Sequence, residues 1–182
     1  MSDIQIIDNF LPKKEFMQLQ KFMMSHHVMW HYNDGVVGTP ADWLGEKRGT
    51  TDPGYDFQFT HCFYIENEWM PHAKNTYQIL GPTLELLDPA CLVRIKANLH
   101  GRTPEKVVHG FHVDHEQLLD RMKTAVFYIN TNNGQTIFKN GKVVDSVANR
   151  MVIFNGDMLH SGTTTTDSRV RCVINFNYIS RR

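Results

Sequence analysis

The segment His160-Ser161-Gly162-Thr163-Thr164-Thr165-Thr166-Asp167-Ser168-Arg169-Val170-Arg171-Cys172-Val173-Ile174-Asn175-Phe176-Asn177-Tyr178 decides how the chain folds. Residues 161–168 are small and polar and read as a turn. Residues 169–178 alternate without a break and read as a strand. Val170, Cys172, Ile174, Phe176 and Tyr178 form an apolar face for a core. Arg169, Arg171, Val173, Asn175 and Asn177 form a mostly polar face, and such a face is ordinarily solvated. Because a candidate metal ligand, His160, enters the same hairpin, the polar face is alternatively the wall of a cavity. There an arginine offers a carboxylate a fixed cation and a planar fork.

Upstream, His112-Val113-Asp114 supplies two more candidate ligands. In an extended strand alternate side chains share a face, so His112 and Asp114 point the same way. Two imidazoles and one carboxylate on one side of a metal leave the opposite positions open, the facial triad of non-haem Fe(II) oxygenases. The spacing alone is weak in a chain with ten histidines and nineteen acidic residues. His109 and His115 flank the pair, and strand parity turns His115 away from the metal.

The rest of the chain supplies supporting elements. Pro12 suits a first helical turn, and Phe16, Leu19, Phe22 and Met23 form a helical stripe for the core. His26, His27 and His31 follow without a strand or helix register and read as loop histidines. From Tyr32 to Gly54 the breakers Gly35, Gly38, Pro40, Gly45, Gly49 and Pro53 indicate a long loop of the active-site-lid kind. Within it Trp43, and just after it Tyr55, are the candidate substrate-facing groups. Phe57, Phe59, His61, Phe63 and Ile65 alternate with Asp56, Gln58, Thr60, Cys62 and Tyr64 as a half-buried strand. Residues 69–87 read as one helix kinked near Gly81-Pro82 or as two short ones, packed outside the barrel. Residues 92–99 are again strand-like, with Arg94, Lys96 and Asn98 on one face.

Composition bounds the class. The chain has 182 residues, 41% of them hydrophobic, and one core is expected; residues 1–90 read as helical support and lid, and 91–182 as the β core. Lys plus Arg equals Asp plus Glu at nineteen each, with charges dispersed, which disfavours nucleic acid as a bulk partner. No apolar run reaches membrane-spanning length, and no signal-peptide pattern opens the chain. Cys62, Cys91 and Cys172 lack metal or disulfide spacing, so a cytoplasmic location is the default expectation.

Four ordered stretches together resemble the double-stranded β-helix core of 2-oxoglutarate- and Fe(II)-dependent oxygenases, nearest to the prolyl-4-hydroxylase-like branch. They are His112-Val113-Asp114, Thr124-Ala125-Val126-Phe127-Tyr128-Ile129-Asn130, Asn149–Phe154 with Met158–Gly162, and Arg171–Phe176. Ile7-Asp8-Asn9-Phe10-Leu11-Pro12 resembles the opening of such domains. The resemblance implies a mainly β fold, a jelly-roll core with helices on one outer face. It implies Fe(II) held by His112, Asp114 and His160, 2-oxoglutarate and O2 as cosubstrates, and ascorbate as a candidate reductant. Arg171 would anchor the cosubstrate's 5-carboxylate; Arg169 has the same parity and is its competitor. Tyr128 would donate to the same carboxylate, and Asn98 would lie near the iron-bound end. The implied reaction is hydroxylation of a C–H bond with release of succinate and CO2, on a prolyl peptide, an amino acid or another small molecule. A cupin-like metal-binding protein, a metal-dependent hydrolase and a catalytically inert barrel remain the alternatives.

Overall fold

The computed structural model describes residues 4–36, 51–115 and 121–181. The elements run β1 (Ile4–Ile7), α1 (Lys13–Met23), β2 (His31–Asn33), β3 (Gln58–Ile65), β4 (Glu68–Trp69), α2 (Tyr77–Leu87) and β5 (Pro89–Gly101). After them come β6 (Met122–Tyr128), β7 (Gln135–Phe138), β8 (Val143–Asp145), β9 (Arg150–Asn155), β10 (His160–Gly162) and β11 (Val170–Ser180). Eight strands form one sheet in the order β1-β9-β6-β11-β5-β3-β2, with β4 paired to β3. The other three form a second sheet, β10-β7-β8. Every pairing between named strands is antiparallel, as expected for a jelly roll.

Strand parity builds two cores. On the outer face of the large sheet, Ile95 and Ala97 of β5, Ala125 and Phe127 of β6, and Cys172, Ile174 and Phe176 of β11 pack with Phe16, Leu19 and Met23 of α1 and Leu80 and Leu87 of α2. Both helices therefore cover one face, as the sequence predicts. Between the sheets, Val126, Tyr128, Phe138, Val144, Val152, Phe154 and Val173 form a second, smaller cluster.

Three local readings need correction. Helix α2 is continuous through Gly81-Pro82 and is preceded by a 3-10 turn, Pro71–Thr76. Gly81 has no Cβ for the proline ring to strike, which removes half of the usual conflict. Strand β3 does not keep one buried face: Gln58, Thr60, His61 and Phe63 are all buried. Thr60 pairs with Asn98 on the cleft side and His61 with Ala97 on the helical side, so both faces are covered, and the register against β5 slips only afterwards, between Cys62 and Tyr64. The first ninety residues thus give strands to the main sheet as well as helices. Finally, His112-Val113-Asp114 is no regular strand; the 102–112 stretch is held at isolated bridges, including Val108↔Thr163 and His112↔His160.

Asn149 ties the chain's beginning to its centre. It adopts φ 63°, its Oδ1 accepts from the Leu11 N–H at 2.9 Å, and its Nδ2 donates to the Leu11 carbonyl at 2.8 Å. Asn149→Ala should lower stability by about 2–4 kcal/mol in denaturant titrations, since two buried backbone groups lose partners and alanine resists a left-handed backbone. Asn149→Gly should cost less, because it relieves only the backbone part.

Candidate metal centre and cleft

His112 and His160 lie opposite one another, their backbones exchanging hydrogen bonds of 2.9 and 3.0 Å. Each Nδ1 meets a carbonyl two residues upstream, Gly110 at 3.1 Å and Met158 at 3.0 Å. With Nδ1–H donating there, both Nε2 atoms are left as bare lone pairs, the tautomer a metal ligand needs. Asp114 completes the group, with Oδ2 3.9 Å from His160 Nε2 and the three ligand atoms all within 4.8 Å of one another. Burial pushes the His112 imidazole down to about 4, with repulsion from His160 adding to it, so its lone pair is available near neutrality.

The carboxylate is held from the other sheet. Arg94 Nη2 donates to Asp114 Oδ1 at 3.0 Å, and Asn177 Nδ2 donates to Oδ2 at 2.9 Å. Arg94 Nε also donates to Asn177 Oδ1 at 3.0 Å, closing a triangle between β5, β11 and Asp114. Burial alone would raise the Asp114 carboxyl, but His160, Arg94, His112 and the Asn177 amide together hold it well below the usual carboxylate range. The polar parity of β5 announced Arg94; nothing in the sequence paired it with Asp114.

From this centre a cleft runs between the sheets, lined by Thr136 and Gly162 of the small sheet and by Gln58, Lys96, Asn98, Arg171 and Val173 of the large one. Arg171 is 3% exposed, and among the described residues no carboxylate lies within ion-pairing distance. Its Nε donates to Ser146 Oγ at 3.0 Å, and its Nη2 to the Gln135 carbonyl and Thr136 Oγ1, both at 3.3 Å. Among the described residues the Nη1 edge is left without a partner, a seated fork with one side open. Thr136 Oγ1 accepts from both Arg171 and Tyr128, whose hydroxyl is 2.8 Å away. With both lone pairs engaged, the threonine proton must point elsewhere.

The remaining sequence candidates separate cleanly. Asn98 lines the cleft, 9% exposed. Tyr128 is fully buried behind Thr136, which takes the lining position in its place. Arg169 is exposed, precedes β11 and does not line the cleft. Tyr55 sits half-buried at the end of a 3-10 turn, also off the lining, and Trp43 falls outside the described residues. His26, His27 and His31 are exposed and away from it. His109 is buried, stacked on His100 at 4.7 Å with its Nδ1 3.4 Å from Asp56. Sequence reasoning missed Thr136 and Ser146, which carry no motif.

No family model and no curated protein matches the sequence. Solved structures do match. An oxidoreductase of the 2OG-Fe(II) oxygenase family from Burkholderia pseudomallei superposes with a TM-score of 0.67 at 10% identity, over 97% of this chain and 85% of its own. The chain has the fold of the 2OG-Fe(II) oxygenases. A prolyl hydroxylase from Trichoplax adhaerens, in complex with a hypoxia inducible factor oxygen degradation domain peptide fragment, gives 0.57 at 14% identity over 98% and 84% of the two chains. The epimerase SnoN, in complex with Fe3+, alpha ketoglutarate and nogalamycin RO, gives 0.61 at 10% identity over 98% and 79%.

A Cβ at Gly134 would lie 2.5 Å from Arg171 Cδ, 2.7 Å from Asn132 Oδ1 and 3.0 Å from the Thr164 carbonyl. Gly134→Ala should therefore unseat Arg171 and cost roughly 1–3 kcal/mol by overpacking. A crystal structure of the variant should show the guanidinium displaced from Ser146 and Thr136; an unmoved side chain would refute this.

Proposed function

We propose that the protein is an Fe(II)- and 2-oxoglutarate-dependent oxygenase that hydroxylates a C–H bond. The observation that carries this reading is the pairing of a His112/Asp114/His160 triad with a buried, carboxylate-free Arg171 along one cleft. The donor set fits Fe(II): two neutral imidazoles and one anionic carboxylate, converging from one side. The far end fits a carboxylate, because a buried guanidinium without a counterion is costly until an anion arrives. When bound, iron and cosubstrate together supply the oxidation: one atom of O2 enters the substrate as C–OH, the other leaves in succinate, and CO2 is released.

The chain's own residues bind and orient. His112, Asp114 and His160 hold the metal, and Arg94 with Asn177 fixes the rotamer of Asp114. Arg171 Nη1 and the Thr136 hydroxyl receive the 5-carboxylate, and Tyr128 keeps the Thr136 proton directed at it. Asn98 faces the space between the two ends. Arg169, exposed outside the cleft, has no part in this anchor. A hydrolase would have no use for a cation held apart from the metal, and this favours the oxygenase. The three cysteines are free, which suits a reducing compartment such as the cytoplasm. No helix among the described residues is long and apolar enough to cross a membrane.

Asp114→Ala should abolish Fe(II) binding by calorimetry and any Fe(II)-dependent succinate release, since it removes the only anionic ligand. Arg171→Ala should leave metal affinity nearly intact and weaken 2-oxoglutarate binding about thirty- to several-thousand-fold, the equivalent of roughly 2–5 kcal/mol for a desolvated charge pair. Arg171→Lys should recover part of it, because a point charge lacks the fork. Arg169→Ala should bind cosubstrate normally; the reverse ranking would move the anchor.

A further inference from the structure

The cleft contains more positive charge than the metal and cosubstrate account for. Three cationic side chains of β5 and β11 face inward: Arg94, Lys96 and Arg171. Arg94 is neutralised by Asp114 at 3.0 Å. Under the oxygenase reading Arg171 would take one carboxylate of the cosubstrate, and a metal held by His112, Asp114 and His160 would take the other. Lys96 is left over. Among the described residues its Nζ has no hydrogen-bond acceptor and no carboxylate within ion-pairing distance. Burial, ahead of repulsion by Arg94, pushes its ammonium down to about 8, so it is charged at neutrality yet poorly solvated.

Its surroundings are equally unfinished. Lys96 is the cross-strand partner of Asn175 on β11 and is two residues from Asn98 on β5. Asn98 is 9% and Asn175 7% exposed, and among the described residues the Oδ1 of each is buried without a donor. A buried acceptor left unmade costs stability, so two of them beside an unpaired ammonium describe a place built for something else. The strand order β11-β5-β3 puts Lys96 and Asn98 one strand beyond Arg171, toward Gln58 and Val36. Asn175 lies on β11 itself, between Arg171 and Asn177, so the group runs along the cleft toward the Arg94–Asp114 end.

Resting on the oxygenase reading above, we propose that Lys96, Asn98 and Asn175 form the primary-substrate subsite and that the substrate is a small free carboxylic acid carrying an N–H or O–H donor. Lys96 takes the carboxylate, and the two asparagine carbonyls take the donor. A free amino acid or hydroxy acid has this pattern. An internal prolyl residue of a peptide has neither group.

The test uses the whole protein with Fe(II) and 2-oxoglutarate. The probes are the standard L-amino acids and short hydroxy acids, each beside its primary amide, together with a prolyl peptide. At least one acid should stimulate succinate release above the substrate-free rate, and its amide should not. Lys96→Met should then raise KM for that acid about thirtyfold or more, the effect of removing one partner of a desolvated charge pair. Lys96→Arg should recover part of the loss. Affinities for Fe(II) and for 2-oxoglutarate alone, by calorimetry, should stay within about twofold in both variants. Methionine in place of an unpaired, half-buried lysine should not unfold the protein, and the acid–amide comparison on the unaltered protein needs no variant at all. The proposal is overturned if every acid is silent while 2-oxoglutarate turns over, or if the prolyl peptide alone stimulates. It is also overturned if Lys96→Met loses 2-oxoglutarate binding in the absence of substrate, which would make the lysine a cosubstrate residue. Should the unaltered protein bind no 2-oxoglutarate, the oxygenase reading itself fails, and that result is read before any acid is added.

Discussion

The long antiparallel pairing of β5 with β11 is the constraint on which the rest depends. Its register runs from Pro89↔Ser180 to Gly101↔Val170 and fixes which side chains see the helices and which see the second sheet. Outward go Ile95, Ala97, Cys172, Ile174 and Phe176; inward go Lys96, Asn98, Val173 and Asn175. A slip by one residue would exchange the two sets, burying charge under the helices and filling the cleft with hydrocarbon. The large apolar cluster under α1 and α2 therefore does two jobs at once: it stabilises the sheet, and it forces the polar residues into the interior.

The metal centre joins the two sheets through different bonds. His112 and His160 are coupled by backbone on the side of the small sheet, where β10 pairs with β7. Asp114 is coupled by side chains to Arg94 and Asn177 on the large one. Neither sheet alone would bring the three ligand atoms within reach of one ion. The geometry of the triad is thus a report on how the sheets are spaced, and the small inter-sheet cluster around Phe138, Val152 and Phe154 sets that spacing beside it. Phe154 stands edge-on to the His160 ring at 4.8 Å, so the packing reaches the ligand directly.

What was legible in the sequence follows the same division. Alternation from Arg169 to Tyr178 gave β11, its two faces and the inward Arg171, because period-2 patterning survives in any strand with unlike sides. The triad was legible as three residues in a strand-rich context, although the stretch from His112 to Asp114 turned out to be held by a bridge and by side chains. The reading faltered where tertiary contacts outvote pattern. Strand β3 is covered on both faces, by the cleft at Gln58 and Thr60 and by the apolar cluster at Phe63, and alternation in the sequence cannot show that its polar face is covered too. Thr136 and Ser146 are common polar residues whose meaning comes from Arg171, far off in sequence. Pro82 left one kinked helix or two short ones open, and the fold has a single helix in which its neighbour Gly81 accommodates it.

The seat of Arg171 shows why so much buried polarity is tolerated. Burial works against its charge, and among the described residues no carboxylate answers it. Yet Ser146, Gln135 and Thr136 fix the guanidinium plane, Gly134 leaves room for the side chain beneath, and the Tyr128 ring lies 5.8 Å from its centre. A flexible cation would lose rotamer freedom at the moment of binding; this one loses it on folding, and the helices' apolar cluster supplies the stability that offsets it. A carboxylate bound there, as proposed, would meet an oriented edge that has no competing partner among the described residues. The two orphaned carbonyls of Asn98 and Asn175 obey the same logic. Unmet hydrogen-bonding capacity is carried by the folded chain, and under the proposed reading it would be released as affinity only for a molecule whose donors and anions match it.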